Sequence, residues 1–207
     1  VSQLFEAVGM AQIIVLQAHN VAALQNAFRC TTLHLDSHSA FDAFADAWAT
    51  RGPIAVASPD PGGVKRALLW REHLQSRLAQ PVGFAMIDKR RSAGVVTSAN
   101  LIAGDVKGMT ALVFDDLIAS GETMRRAALV LRDAGAREVV AVAAHGLFIA
   151  PAAEALADPV ITTVAVTDSV PPFRLPADGP VMHKLVRCSA VPLFAQAIRG
   201  SHARWLR

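Results

Sequence analysis

The sequence predicts an α/β fold in which a mostly parallel sheet is covered by helices on both faces. Short runs of apolar, β-prone residues alternate along the chain with longer stretches whose apolar residues recur at helical spacing. The short runs are almost wholly apolar, which is typical of strands buried between two helical layers. Several of the runs end in a polar or glycine-rich loop, and in open α/β sheets ligands bind at such strand ends.

In the first half of the chain, apolar residues at helical spacing predict helices that end at glycine. The first helix is predicted over residues 1–9. In a later helix, Phe41, Phe44 and Trp48 lie on one face, and the helix is predicted to end at Arg51-Gly52-Pro53. The predicted elements of this half are a helix over 1–9, a strand over 13–16, a helix over 37–50, a strand over 54–57, a helix over 64–79 and a strand over 82–87.

In the second half, residues 92–108 have no clean period and are predicted to hold a mobile loop followed by a hairpin-like return to the central strand. The helix after the central strand is predicted to end at Gly135. The predicted elements of this half are a strand over 111–114, a helix over 124–134, a strand over 138–144, a short helix over 150–157, strands over 161–166 and 185–188, and a helix over 191–207.

Composition limits the classes of protein that the chain can represent. It has 207 residues, 53% of them hydrophobic, which is enough to bury a substantial core in one large or two small domains. The net charge of +3 comes mostly from scattered basic residues, so no nucleic-acid partner is expected. No apolar run of about 18 residues occurs, so no membrane partner is expected either.

The two cysteines and the amino terminus give expectations about compartment and completeness. Cys30 and Cys188 have no metal-site or disulfide spacing, which favours a reducing, cytoplasmic compartment. The chain begins at Val1 without a charged-then-apolar signal segment. We expect it to be a portion of a longer protein.

The stretch over residues 110–123 gives the strongest indication of function. Asp115 and Asp116 follow its apolar run, and their carboxylates suit sugar hydroxyls or Mg²⁺. The loop that comes next offers two hydroxyls, free N–H groups and a glycine that permits close approach, all of which suit a phosphate. The alternative is that the aspartates cap the following helix and the loop only makes a turn. The loop consists of Ala119, Ser120, Gly121, Glu122 and Thr123.

Three other strands also end in loops with chemically capable side chains. His19 follows the first strand and is either a metal ligand or phosphate donor, or a capping or turn residue. Asp60 lies in a rigid loop of prolines and glycines, where it either binds a ligand or caps a tight turn. Lys89 and Arg91 belong to three consecutive cations, which predict an anionic, phosphate-rich ligand unless they form a solvated turn.

Taken together, five segments resemble the ribose-phosphate pyrophosphokinase family in order and spacing over nearly the whole chain. They are Ser58-Pro59-Asp60-Pro61-Gly62-Gly63-Val64, Asp88-Lys89-Arg90-Arg91, Phe114-Asp115-Asp116 through Thr123, His145-Gly146-Leu147-Phe148 and Val166-Thr167-Asp168-Ser169. The resemblance implies the fold of the type I phosphoribosyltransferases. It implies that residues 1–36 end a truncated or divergent first domain, 37–190 form a second domain with the ribose-5-phosphate loop, and 191–207 form a C-terminal helix.

The resemblance also implies roles for the residues singled out above. Asp115 and Asp116 would bind the ribose hydroxyls, and His19 and Asp60 would be ligands of Mg²⁺–ATP. Lys89 and Arg91, the basic pair, would stabilise the transferring diphosphoryl group. The loop over 119–123 would bind the 5-phosphate. ATP and ribose 5-phosphate are the implied substrates, Mg²⁺ is the implied cofactor, and a homo-oligomer is the implied assembly.

Departures from the family pattern identify a divergent member and leave alternatives open. Gln17 stands where the family usually has an aspartate, Ala119 replaces an acidic residue, and Glu122 replaces a small one. The family's adenine-binding loop has no counterpart in residues 1–207, so ATP binding is implied by the resemblance alone. The interpretations kept are an active diphosphokinase, a catalytically weak regulatory relative of that enzyme, and a phosphoribosyltransferase.

Overall fold

The computed structural model describes residues 1–89 and 100–205. Arg91, one of the predicted catalytic residues, lies outside them, as does most of the predicted mobile loop. The strands are β1 (Gln12–Leu16), β2 (Thr31–Leu35), β3 (Ile54–Ser58), β4 (Gly83–Lys89), β5 (Asn100–Gly104), β6 (Thr110–Ile118), β7 (Glu138–Gly146), β8 (Thr163–Thr167) and β9 (Leu185–Cys188). The helices are α1 (Ser2–Ala7), α2 (Val21–Ala27), α3 (Asp42–Ala49), α4 (Val64–Leu78), α5 (Glu122–Asp133), α6 (Ala152–Ala157), α7 (Pro180–His183) and α8 (Val191–Trp205).

The main sheet has seven strands in the order β5-β4-β3-β6-β7-β8-β9. Every neighbouring pair is parallel except β4 and β5, which pair antiparallel at one edge. The predicted α/β class with a mostly parallel sheet is therefore confirmed, and β5 is the predicted hairpin-like return. The first strands form a separate two-stranded parallel sheet, β1 with β2.

Each face of the seven-stranded sheet carries its own apolar layer. On one face Trp70 of α4 packs against Phe114 of β6, with ring centroids 4.5 Å apart, and Phe41 packs on both. On the other face α5 buries residues such as Leu131 against the sheet, and α6 adds Leu156. In the part of the chain that the structure describes, no helix is long and apolar enough to cross a membrane.

Two details of the predicted elements were wrong. β6 does not stop at Phe114, because β7 continues beside it and pairs Asp115 with Ala143 and Leu117 with His145. The paired aspartates therefore lie within the strand rather than after it. The residues between the first two predicted helices also hold α2 and β2, which were not predicted, and the short helix α7 was not predicted either. The alternation of Thr31-Thr32-Leu33-His34-Leu35 is the signal that could have found β2.

Candidate functional site

A cavity of about 630 Å³ opens at the carboxyl ends of β3 and β6. This is the edge of the sheet at which the sequence places its polar loops. The cavity brings together residues from both sheets, because the turn after β1 reaches over the end of β6. Its lining includes His19, Asp60, Gly62, Gly63, Arg66, Asp115, Asp116, Ala119, Ser120, Gly121 and Thr123.

One wall of the cavity is the turn between β6 and α5. Gly121 adopts the left-handed conformation with φ of 77°, and a Cβ there would lie 2.8 Å from Leu156 Cγ. Only glycine fits this turn without strain. The turn leads directly into the first residue of α5, and Ser120 and Thr123 line the cavity beside the helix amino terminus. Hydroxyls and backbone N–H groups at a helix start form a favourable environment for an anion.

The floor of the cavity is a buried ion-pair cluster. Arg66 of α4 donates from Nη1 to Asp115 Oδ1 at 2.6 Å, and its Nη2 lies 3.3 Å from Asp116 Oδ2. The Arg66 side chain is 14% exposed, and those of Asp115 and Asp116 are 18% and 4% exposed. Arg66 was missed from the sequence. The available signal was its position in the first turn of the helix that follows the Asp60 loop, which brings its side chain to the same strand end.

The two carboxylates of the cluster differ in acidity. Burial and the neighbouring Asp116 carboxylate raise the pKa of Asp115 to about 7, although Arg66 and the backbone N–H of Asp116 oppose the shift. Burial acts against ionisation at Asp116 as well, but Arg66 and His19 together outweigh it and lower the pKa of that carboxyl. Two adjacent buried carboxylates do not ionise equally, and Asp116 is the one that stays charged because it has two cationic or donor neighbours.

His19 lies over the second aspartate, with 2.5 Å between His19 Nδ1 and Asp116 Oδ2. Because the Asp116 carboxylate is charged and only accepts hydrogen bonds, the proton of the pair lies on Nδ1. The Nε2 lone pair of a neutral His19 is then available to a ligand, and the side chain is 80% exposed. A histidine that donates one ring N–H to a carboxylate is the arrangement seen where the other nitrogen binds a metal.

Asp60 acts as a cap and also lines the cavity. Its Oδ1 accepts a hydrogen bond from Gly63 N at 3.1 Å, and Ser58 Oγ donates to its carbonyl at 2.7 Å. A Cβ at Gly63 would lie 2.9 Å from Ser58 Oγ, so the turn is closely packed. The structural and the ligand-binding interpretations of Asp60 are therefore compatible.

Glu122 is placed differently from its prediction, Lys89 is described only in part, and Gln17 is a residue that departs from the family pattern. Glu122 does not line the cavity: its carboxylate lies 3.5 Å from Arg125 Nε, because it is the first residue of α5 and turns along the helix. Gln17 is buried, and its Oε1 accepts from Ser37 N at 2.9 Å and from Ser37 Oγ at 3.0 Å. Lys89 ends β4 at the same edge of the sheet, and its side chain is not described.

The fold and the cavity define an open α/β protein with a polar cavity at the carboxyl edge of its sheet. The chain belongs to the phosphoribosyl synthetase-associated domain family, which its residues 96–204 match. The resemblance stated from the sequence is thereby confirmed.

Individual relatives agree with this assignment. A ribose-phosphate pyrophosphokinase of Caldanaerobacter subterraneus subsp. tengcongensis is 35% identical over 202 residues, which cover 98% of this chain and 60% of that protein. One of Bacillus caldolyticus is 35% identical over 200 residues, covering 96% and 59% respectively. The crystal structure of phosphoribosylpyrophosphate synthetase from Mycobacterium smegmatis superposes with a TM-score of 0.80 at 29% identity, covering 98% of this chain and 62% of that one. This chain thus spans about three fifths of the length of these relatives.

Proposed function

We propose that this protein is a ribose-phosphate diphosphokinase. In the proposed reaction the 1-hydroxyl of ribose 5-phosphate attacks the β-phosphorus of ATP, AMP leaves, and phosphoribosyl pyrophosphate forms. The observation that carries the proposal is that one cavity holds both the Asp115–Asp116 pair with the 119–123 loop and the Asp60 loop at the end of β3. A sugar phosphate and a polyphosphate can therefore bind to different loops of the same cavity.

The wall formed by β6 and α5 is assigned to ribose 5-phosphate. The 5-phosphate binds at Ser120, Gly121 and Thr123, where hydroxyls and the helix start favour an anion. Asp115 and Asp116 accept hydrogen bonds from the ribose hydroxyls. Among the predicted residues of this loop, Ala119 contributes backbone only, and the Glu122 side chain points to Arg125 rather than to the phosphate.

Mg²⁺ is the proposed cofactor, with His19 and Asp60 as its protein ligands. No cluster of three or more His, Cys, Asp or Glu ligands occurs in residues 1–89 and 100–205. Mg²⁺ commonly takes one or two protein ligands and completes its shell with water and substrate phosphates, so a sparse donor set fits it. The free Nε2 of His19 and the second carboxylate oxygen of Asp60 are the donors available. When bound, the metal would neutralise charge on the polyphosphate.

Lys89 and Arg91 are proposed to stabilise the charge that develops on the transferring diphosphoryl group. β4 ends at Lys89 beside β3 at the carboxyl edge, which supports a location of the Lys89 backbone near the Asp60 loop. Cations that act only where charge develops raise turnover without tightening substrate binding. Losing one such donor typically costs about 10²–10³ in rate.

The proposed assembly is a homo-oligomer, and the proposed compartment is the cytoplasm. We propose further that residues 1–36 end a first phosphoribosyltransferase-like domain, that 37–190 form a second, and that the C-terminal segment 191–207, which contains α8, contributes to assembly. Exposed apolar side chains on α1 and α8 support an assembly role, with Leu4 73% and Val191 65% exposed. Light scattering on the full-length protein tests the assembly, and a strict monomer would contradict it.

The function is tested by ³¹P NMR on the full-length protein with ATP, Mg²⁺ and ribose 5-phosphate. We expect AMP and phosphoribosyl pyrophosphate to appear together, and Lys89→Ala and Arg91→Ala each to reduce turnover by about 10²–10³ at unchanged ribose 5-phosphate affinity. Asp116→Ala should instead weaken ribose 5-phosphate binding. Equal effects of all three substitutions on binding would contradict this division of roles.

The same samples separate the other interpretations. Binding of ribose 5-phosphate with no product at excess ATP and Mg²⁺ would indicate a regulatory relative. Consumption of added phosphoribosyl pyrophosphate in the presence of a nucleobase would indicate a phosphoribosyltransferase. Amide NMR with inorganic phosphate locates the anion site directly, and shifts centred away from Ser120, Gly121 and Thr123 would contradict its assignment.

A further inference from the structure

His145 connects the two sheets of the protein through its two ring nitrogens. It lies next to the last residue of β7, and its Nε2 is 3.0 Å from the backbone oxygen of Leu16, the last residue of β1. Its Nδ1 is 2.8 Å from Ser169 Oγ, just after β8. The imidazole therefore joins the end of the small sheet to the ends of two strands of the main sheet.

The chemistry of these partners determines the protonation of the ring. A backbone carbonyl only accepts hydrogen bonds, so Nε2 of His145 carries a proton and donates to Leu16 O. In the neutral ring Nδ1 then accepts from the hydroxyl of Ser169. Thr167 Oγ1 donates to Ala144 O at 2.6 Å and accepts from Ser169 N at 3.3 Å, so it fixes the backbone of Ser169 beside the ring.

The bond from His145 supports the turn that carries His19. Gln17 follows Leu16 with φ of 45°, a conformation that costs a residue other than glycine free energy and persists only when its surroundings support it. From the side of β2, Gln17 N donates to Leu35 O at 2.7 Å, and Ser37 donates to the Gln17 side chain. Among the described residues β1 pairs with β2 alone, so the bond from His145 supports the turn from the opposite side.

The residues after His145 make hydrogen bonds next to the 119–123 loop, which forms another wall of the cavity. Leu147 N and Phe148 N both donate to Ile118 O, at 2.9 Å and 3.2 Å. Ile118 ends β6 and immediately precedes the 119–123 loop. The segment 145–148 thus makes hydrogen bonds to Leu16, which precedes the turn that carries His19, and to Ile118, which precedes the 119–123 loop.

We propose that His145 is a positioning residue that sets the place of His19 relative to the 119–123 loop, through its hydrogen bond to Leu16 O. For its kinetic consequence the inference rests on the proposed diphosphokinase activity. Substrate groups must meet in a near-attack geometry, and a misplacement of about 1 Å can cost about 10² in rate. The backbone bonds of Leu147 and Phe148 do not depend on the ring, so the anion site itself should not change when the ring is replaced.

The test compares two substitutions of His145 whose amide side chains differ in length. The amide nitrogen of His145→Gln extends about as far as Nε2 and can still donate to Leu16 O, whereas His145→Asn reaches only the position of Nδ1 and can bond Ser169 alone. We expect the ring Cε1–Hε1 signal of His19 in a ligand-free ¹H–¹³C NMR spectrum to shift in the asparagine variant and to remain near its wild-type position in the glutamine variant. Ser169→Ala, which leaves the ring in place without its orienting hydroxyl, should give a smaller shift in the same direction.

Two further measurements distinguish positioning from general damage. Inorganic phosphate affinity at the 119–123 loop should change less than twofold in all three variants. In the full-length protein, kcat should fall about 10²-fold in His145→Asn at unchanged KM for ribose 5-phosphate, with recovery in His145→Gln. If neither the wild-type protein nor any variant turns over, the proposed function fails while the His19 shift still tests the positioning.

Two results would overturn the inference. One is an unchanged His19 signal in the folded asparagine variant. The other is an equal loss of phosphate affinity in the asparagine and glutamine variants. If His145→Asn does not fold, His145→Ala, which also removes the bond to Leu16 O, is compared with His145→Gln instead, and an unchanged His19 signal in the folded alanine variant would also overturn the inference.

Discussion

The two walls of the cavity are stabilised in different ways. The 119–123 loop lies between β6, whose first five residues are all buried, and α5, which buries four residues in the main core. The turn that carries His19 lies between β1 and α2, and neither α1 nor α2 buries any residue. We infer that the proposed anion site at residues 119–123 is preformed by packing, whereas the wall formed by the turn that carries His19, here called the His19 wall, depends on individual hydrogen bonds.

The largest expected effect concerns the ion-pair cluster between the walls. Arg66→Met removes the cation that faces Asp115 and Asp116 and leaves two buried carboxylates together. Removing one partner of a buried pair typically costs about 3–5 kcal/mol, and the partial exposure of Arg66 favours the lower end. Urea denaturation at pH 7 measures the loss.

Two companion variants make this prediction specific. Arg66→Met combined with Asp115→Asn should recover part of the lost stability, because one stranded charge is gone. Lys65→Met changes an exposed cation on the same helix and should have little effect. Equal losses for the substitutions of Arg66 and Lys65 would contradict the role given to the cluster.

The second prediction tests whether packing preforms the anion site. Gly121→Ala places a Cβ 2.8 Å from Leu156 Cγ in a residue with φ of 77°. The left-handed conformation costs about 1–2 kcal/mol, and overpacking adds about 1–3 kcal/mol. Gly108→Ala is the matched control, because Gly108 has φ of 73° and nothing within 4 Å of the added atom. Calorimetry should show the larger loss for Gly121→Ala, and phosphate binding should be lost only there.

A smaller effect is expected from the titration of Asp115, whose side chain is 18% exposed. The pKa of Asp115 rises in the folded protein from its ordinary value of 3.8 to about 7. Between these values the folded state binds more protons than the unfolded state, so this group's contribution to stability falls as pH rises. The lowered pKa of Asp116 acts only at more acidic pH and does not affect this window.

Asp115→Asn should therefore gain stability relative to the wild type as pH rises from 5 toward 8, in unfolding curves recorded across that range. The carboxyl carbon signal of Asp115 should titrate near neutral pH in the wild type. A stability difference between the two proteins that stays constant with pH would show that Asp115 titrates normally.

The sequence predicted the wall formed by β6 and the 119–123 loop better than the His19 wall, because the first is specified by local patterns and the second by tertiary contacts. Continuous apolar runs such as Ala111 to Phe114 specify buried strands, and Ser120-Gly121 specifies a turn that leads into a helix. The position of Arg66 at the start of a helix after the Asp60 loop hints at the site, but its pairing with Asp115 depends on α4 crossing the end of β6, a tertiary contact with no local pattern. The contact between His19 and Asp116 joins residues 97 apart in the sequence and is equally invisible locally.

The smallest expected effect lies in the His19 wall itself. Asn20 caps α2 by accepting a hydrogen bond from Ala23 N at 2.9 Å, and it directly follows His19. Replacing such a cap by alanine costs about 1 kcal/mol, whereas Asn26→Ala within the same helix should stabilise it by a few tenths of a kcal/mol, since alanine has the higher helix propensity. Because α2 buries no residue, the loss should appear as faster amide hydrogen exchange in α2 rather than as a lower unfolding temperature of the main sheet. Exchange that accelerates equally in α5 would show that the two walls unfold as one unit and that the contrast between them is wrong.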